Sequence, residues 1–276
     1  MLRKERRHNA ILFPILLLAA FVYSLPTIAM VFSAMKGESG IMSDLGLFPK
    51  EIDWSAILDV LNSSYFLNAL KNSSYLAIWV CVFCVSIAVL TGYVLSRNRG
   101  KSFTGYYILL LILQMFPLTL RLFPLFKIFK SLDLLNTYAS LILTYTGINL
   151  PFSVLTMKAF FDTIPFDIEE SAMVDGCSYF QRIIRIVLPV SLSGIATVTI
   201  FTFLNVWNEY MFANVFVNDP DLIPFTVSLQ QYVTQNESQW AHLMAASALG
   251  ILPSVLFLVF AQKYIVQGLT AGAVKG

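Results

Sequence analysis

The chain has 276 residues, of which 57% are hydrophobic and 12% charged, and its mean hydropathy is +0.73; an average soluble domain is about 25% charged. That balance excludes an ordinary soluble domain and places the chain in lipid. A formal net charge of +2 without a long run of like charges offers nothing for nucleic acid to bind. Cys81, Cys84 and Cys177 are too few and too scattered for a disulfide framework, and His8 and His242 are too far apart in sequence to build a metal site.

The chain opens on Arg3, Lys4, Arg6 and Arg7, followed by an apolar run from Ala10 to Phe32. This run is longer than the core of a cleaved signal peptide, so it predicts an uncleaved first span. The stretch from Lys36 to Lys71, with Gly37, Gly40, Pro49 and Trp54, is more polar and predicts an outside loop with a short interfacial helix. Further apolar stretches follow at 73–96, 103–127, 137–160, 190–217 and 241–265. Each is near the roughly 20 residues that a helix needs to cross a bilayer. The pair Cys81 and Cys84 falls inside one of them, where a spacing of three puts two small residues on one helix face. Asn218 to Asp221 opens a second outside loop carrying Gln230, Gln231 and Gln235, and the Asn-x-Ser sequons at Asn62, Asn72 and Asn236 read as chance.

The expected fold is therefore all-α, a polytopic bundle of about six spans in a single domain over residues 1–276. Basic residues orient it. Arg3 to Arg7, Arg97, Arg99, Lys101, Lys158, Arg182, Arg185, Lys263 and Lys275 gather on one side, against Lys36, Lys50, Lys71, Lys127 and Lys130 on the other. The bias puts both termini in the cytoplasm.

Between the fourth and fifth spans, residues 162–189 read as two short cytoplasmic helices. Pro165 suits a first helical position, and Asp167, Glu169 and Glu170 put negative charge in the first turns, where the helix dipole favours it. Gly176 supplies a left-handed stop. Ser178 and Gln181 match a capping box, after which Phe180, Ile183, Ile184 and Val187 predict an apolar stripe that lays the second helix on the bundle. Ser171 and Ala172 permit close approach, Glu169 and Glu170 offer carboxylates to a basic partner, and Met173 gives an adaptable apolar contact. A solvated acidic turn is the alternative.

This stretch resembles the signature of ABC importer permeases: Glu-Ala-Ala, three residues, Gly, nine residues, Ile-x-Leu-Pro. Here the pattern stands as Glu170-Ser171-Ala172, Gly176, Ile186 and Leu188-Pro189, with Ser171 its single departure. The resemblance implies an ABC type I importer permease fold. It also implies that Glu169, Glu170, Ser171, Ala172, Met173, Asp175, Gly176, Leu188 and Pro189 belong to a coupling loop that docks on an ATPase subunit. Gln114 to Pro117, Trp207 to Tyr210 and the end from Gln267 to Gly276 resemble the maltose-type carbohydrate permeases in particular. That likeness implies a sugar as substrate and assigns Thr270, Ala271, Gly272, Lys275 and Gly276 to an ATPase-contacting tail; a frayed glycine-rich terminus is the alternative. The implied partners are a second homologous permease, two ATPase subunits that bind the ATP and Mg, an extracytoplasmic solute-binding protein and membrane lipid. Glycerol phosphate or another polar solute is the alternative cargo.

Gly100-Lys101-Ser102 looks like the end of a phosphate-binding loop, but Leu95 stands where that motif needs glycine, so no cofactor is expected on this chain. No arrangement of nucleophile and base supports an intramembrane enzyme. An ATP-independent secondary transporter is the rival mechanism, and six spans without an internal repeat argue against it. Glu209 and Arg121 are the ionisable residues nearest the membrane interior, where charge is costly and faces a cavity or a partner. With Asn205 and Asn208 they are candidates for the translocation path; helix packing is the other reading.

Overall fold

In the computed structural model of the protein, backbone is described for residues 2–233 and 238–273, and side chains for residues 12–233 and 238–262. The side chains of the basic start, the sequon at Asn236 and the tail residues Thr270, Ala271, Gly272, Lys275 and Gly276 lie outside the described residues. The chain forms two compact units, residues 1–67 with 228–252, and residues 68–227 with 253–276.

The first unit begins with α1 (Leu2–Ala34), whose part from Leu12 to Ala34 is long and apolar enough to cross a membrane. Phe13, Leu16, Leu18 and Tyr23 stand exposed along it. A helix that is apolar all round without being buried in protein is one made for lipid. The polar stretch that follows holds two short helices rather than one, α2 (Gly37–Ser43) and α3 (Ser55–Asn62). The buried Lys36 organises the turn after α2. Its ammonium donates to the carbonyl oxygens of Asp44, at 2.7 Å, and Gly46, and lies 3.7 Å from the Asp44 carboxylate. That carboxylate also accepts the Gly46 and Lys50 amides at 3.1 and 3.3 Å. The Gly46 amide first, then those of Lys50 and the nearby lysine charges, hold the Asp44 carboxyl below the usual carboxylate value. A lowered value makes the turn most stable above the group's unfolded value, and that stability is lost as pH falls through the lowered one. Glu38 accepts the Ala241 and His242 amides at 2.9 and 3.2 Å, capping the start of the last helix. The His242 ring lies between Glu38, at 3.0 Å, and Asp59, at 3.3 Å.

The second unit is built on three helices: α4 (Ser64–Arg97), of which residues 68–97 belong here, α7 (Tyr138–Asp162) and α11 (Leu192–Trp207). One buried cluster joins Leu76, Val80, Leu141, Tyr145, Phe212 and Phe216. Another joins Ala88, Val154, Met157, Phe161, Val187 and Val198. Buried small polar side chains add to the packing: the Cys84 thiol donates to Ser153 at 3.2 Å, and Ser153 lies 3.5 Å from Thr202. Cys81, Cys84 and Cys177 are free thiols, and the first two are packing residues of α4.

Two glycines set the helix spacing. A Cβ on Gly92 would lie 2.9 Å from the Met157 Cβ and 3.0 Å from the Lys158 amide nitrogen, and one on Gly194 would lie 2.6 Å from the Phe160 ring. Backbone cannot retreat as a flexible side chain can. Gly92→Ala is therefore expected to destabilise the bundle by about 1–3 kcal/mol. A lowered midpoint of thermal unfolding in detergent, with unchanged membrane insertion, would show it; an unchanged midpoint would mean that α4 and α7 are not pressed together here.

The stretch expected as one span at 103–127 is instead α5 (Lys101–Met115) and α6 (Leu118–Ser131), bent by 100°. Pro117 is the cause, since it cannot donate to the ladder and forces Phe116 into extended backbone with ψ 125°. The stretch expected as a span at 190–217 also divides. Helix α11 stops at Trp207, and α12 (Met211–Phe216) starts after Tyr210. Among the described residues four helices are long and apolar enough to cross a membrane, and up to six spans result if two bent pairs each count as one: α5 with α6, and Tyr179–Val190 with α11, which meet at 75°.

Candidate functional site

The loop between α7 and α11 folds as two short helices joined by a tight turn. Helix α8 (Asp167–Val174) carries Asp167, Glu169 and Glu170 in its first turn. It ends where Gly176 adopts φ +82°. The Gly176 amide donates to Met173 at 3.0 Å and the Cys177 amide to Ala172 at 2.9 Å, the paired bonds of a glycine C-terminal stop. Ser178 then opens α9 (Tyr179–Arg182) with a complete capping box: its amide donates to Gln181 Oε1 at 2.9 Å, and its hydroxyl accepts the Gln181 amide.

The chain continues through a π turn, Ile183–Val187, into α10 (Leu188–Val190). Pro189 explains the widening, because it lacks the N–H that would close the preceding α turn. The extra residue rotates the expected apolar stripe. Ile183 and Val187 are buried, whereas Phe180 is 69% and Ile184 61% exposed.

Helix α8 sorts its residues sharply. Glu170, Ser171, Met173, Asp175 and Gly176 are exposed, and Val174 is 88% exposed. Leu188 is half-buried and Pro189 exposed. Two residues expected to face a partner do not. Ala172 is buried against the bundle, and Glu169 is 0% exposed. The reason is local: the Glu169 carboxylate accepts the Tyr93 hydroxyl at 2.5 Å and the Arg97 guanidinium at 2.8 and 2.7 Å. Arg97 also donates to the Ile164 carbonyl and lies 5.8 Å from the ring centres of Tyr93 and Phe166. Tyr93 meets Phe161 and Tyr179 edge-on. Sequence reasoning missed Arg97 and Tyr93, though an arginine closing an apolar span with a tyrosine one turn before it was a visible signal.

The candidates for the path fall into three places. Glu209 lies at the break between α11 and α12, where its carboxylate accepts the Phe212 and Ala213 amides at 2.9 and 3.2 Å and the Tyr145 hydroxyl at 2.5 Å. Its own carbonyl accepts the Thr226 hydroxyl at 2.6 Å. Glu209 is thus a helix cap that fastens α12 to α7. Asn205 donates to Asn149 of α7 at 2.9 Å, whereas Asn208 bonds back to Leu204 of its own helix. Arg121 donates to the carbonyls of Leu113 and Phe116, which the bend at Pro117 leaves without helical donors.

The family described as "binding-protein-dependent transport system inner membrane component" matches residues 84–271. This chain belongs to that family. As a binding-protein-dependent permease it is 32% identical to the sulfoquinovosyl glycerol transport system permease protein SmoH of Agrobacterium fabrum, over 91% of this chain and 88% of that one. It is 33% identical to the inner membrane ABC transporter permease protein YcjP of Escherichia coli, over 91% of both chains. Against the trehalose/maltose transport system permease protein MalG of Thermococcus litoralis the identity is 37%, over 75% of both. The permease also superposes on a bacterial ABC transporter involved in alginate import with a TM-score of 0.81 at 21% identity, covering 95% of this chain and 98% of that one. The all-helical ABC type I importer permease fold implied by the loop signature is the fold found.

Proposed function

We propose that this permease forms half of the translocation pathway of an ATP-driven importer for a sugar or oligosaccharide, and that residues 165–189 dock it on an ATPase subunit. The observation that carries the docking reading is the outward face of α8, where Met173, Val174 and Glu170 project beside an exposed Gly176 turn. An adaptable thioether, a bare valine and a carboxylate suit a cleft with an apolar floor and a basic rim. The sugar reading rests on the relatives, which are named for sulfoquinovosyl glycerol and trehalose/maltose transport.

In this reading the complex holds a second homologous permease, two ATPase subunits that bind ATP and Mg, and an extracytoplasmic solute-binding protein. Closure of the ATPase pair moves the docked loop, and the pathway alternates its access. Asn205, exposed on α11, and Asn208, exposed at its C-terminal cap, are the polar side chains offered to the pathway. The tail from Thr270 to Gly276 adds a second ATPase contact, and its removal should weaken coupling without affecting membrane insertion.

The decisive experiment is purification with co-expressed neighbouring subunits, followed by measurement of which sugar stimulates ATP hydrolysis. An isolated chain that transports without ATP would overturn the reading. Orientation has its own test. In a background lacking native cysteines, cysteines placed at Lys101 and Ser178 should be shielded from an impermeant outside reagent, whereas those at Ser43 and Ser238 should react; reversed labelling would place both termini outside.

A further inference from the structure

We infer that Glu169 is not a docking carboxylate but one end of a buried strut, and that Arg97 and Tyr93 are positioning residues that make α8 and the end of α4 move as one body. The inference rests on the reading of α8 as the ATPase-docking element. Helix α8 is only 8 residues long, and it hangs between two turns, so without a cross-connection a push on its outer face would be absorbed by rotation. Glu169 supplies that connection from the opposite face. Its carboxylate is 0% exposed and takes three donors at 2.5, 2.7 and 2.8 Å, all from the last two turns of α4.

Both guanidinium bonds converge on Oε1 while the tyrosine hydroxyl takes Oε2, so the side chain is fixed from two directions. Charge-assisted bonds of this kind are short and orientation-specific, and breaking a buried pair leaves an uncompensated charge. The strut is braced on both sides. Arg97 reaches the Ile164 carbonyl in the turn before α8, and Tyr93 packs on Tyr179 at the start of α9. Beside it, Ser96 donates to Asp162 at 2.6 Å and ties α4 to the end of α7. Movement imposed on α8 therefore passes to the end of a membrane-spanning helix.

The test uses the complete transporter with its ATPase subunits and solute-binding protein. Glu169→Gln and Arg97→Gln should leave ATPase co-purification at the wild-type level but lower solute-stimulated hydrolysis and transport per ATP at least tenfold. The double variant should be no worse than the poorer single one, as for two residues acting through one contact. Arg97→Lys, which keeps the charge, should recover part of the loss. Tyr93→Phe, which removes one hydroxyl and retains the ring packing, should give a several-fold loss and serves if the charge variants fold poorly. Loss of ATPase co-purification in Glu169→Gln with normal behaviour of Arg97→Gln would make Glu169 a direct contact and overturn the strut; so would wild-type stimulation in Arg97→Gln and Tyr93→Phe. The docking reading fails differently, by unchanged co-purification when outward-facing Val174 is replaced, as in Val174→Asp.

Discussion

Gly176→Val is expected to leave the permease inserted and assembled with its partner permease while abolishing solute-stimulated ATP hydrolysis. The glycine sits at φ +82° and a Cβ there would meet nothing within 4 Å. The penalty is therefore conformational rather than steric crowding. A left-handed L residue costs about 1–2 kcal/mol, and a β-branched side chain costs more because its χ1 is also restricted. The left-handed stop is closed by two amide bonds, Gly176 to Met173 and Cys177 to Ala172, just after the Asp175 amide bonds Ser171. Extended backbone at this point would break both and swing the exposed tip of α8 away from its docking direction. Gly176→Asn, which tolerates this conformation, should retain most of the activity, and that contrast separates backbone strain from loss of a surface contact. Glu170→Lys should fail by another route, presenting like charge to a basic cleft. A change at Lys50, in the first unit, should leave ATPase binding unaffected. Co-purification of the ATPase with hydrolysis in reconstituted complexes measures all four; wild-type values for both Gly176→Val and Glu170→Lys would remove the loop as the transmission site.

The second large effect concerns stability. Glu209→Ala should be among the most damaging single substitutions in the second unit, because the carboxylate serves three donors at once. Of these, Phe212 and Tyr145 are buried at 1% and 2% exposure, and each unsatisfied buried donor costs about 1–3 kcal/mol. The aromatic cluster of Phe212 and Phe216 would lose its alignment with α7. Glu209→Gln keeps one carbonyl oxygen and should recover part of the stability. The measurement is the thermal midpoint of the purified complex beside its transport rate. If Glu209→Gln transports poorly at unchanged midpoint, the carboxylate acts on the solute rather than as a cap.

The sequence makes the two-helix fold of the loop between α7 and α11 legible because its signals are local: Gly176, the Ser178–Gln181 box and the acidic first turn of α8 each need only three or four neighbouring residues. The apolar stretches are equally plain, since a lipid-facing helix such as α1 announces itself by composition alone. What could not be read has two physical origins. Glu169 and Arg97 are 72 positions apart, and Glu209 and Tyr145 are 64 apart, so the sequence shows carboxylates without the partners that decide which way they face. Spans that are apolar all round also lose the periodic stripe that would orient them. The bend at Pro117 was readable in principle, because a proline inside an apolar run weakens the ladder. Its cover was not, since Arg121 donates to the carbonyls of Leu113 and Phe116, eight and five positions before it.

The π turn at Ile183–Val187 has a consequence for exchanging this loop between transporters. The widened turn absorbs one residue more than an α turn, so forcing it into α geometry at the same length would turn everything on its amino-terminal side by about 100°. Ile183 would turn out of the bundle while Val187 stayed, so a graft with the right docking residues could still present them in the wrong direction. The π turn between Gly176 and Pro189 is thus an angular setting, and a chimera that loses the π turn at unchanged length should assemble yet fail to respond to its own ATPase.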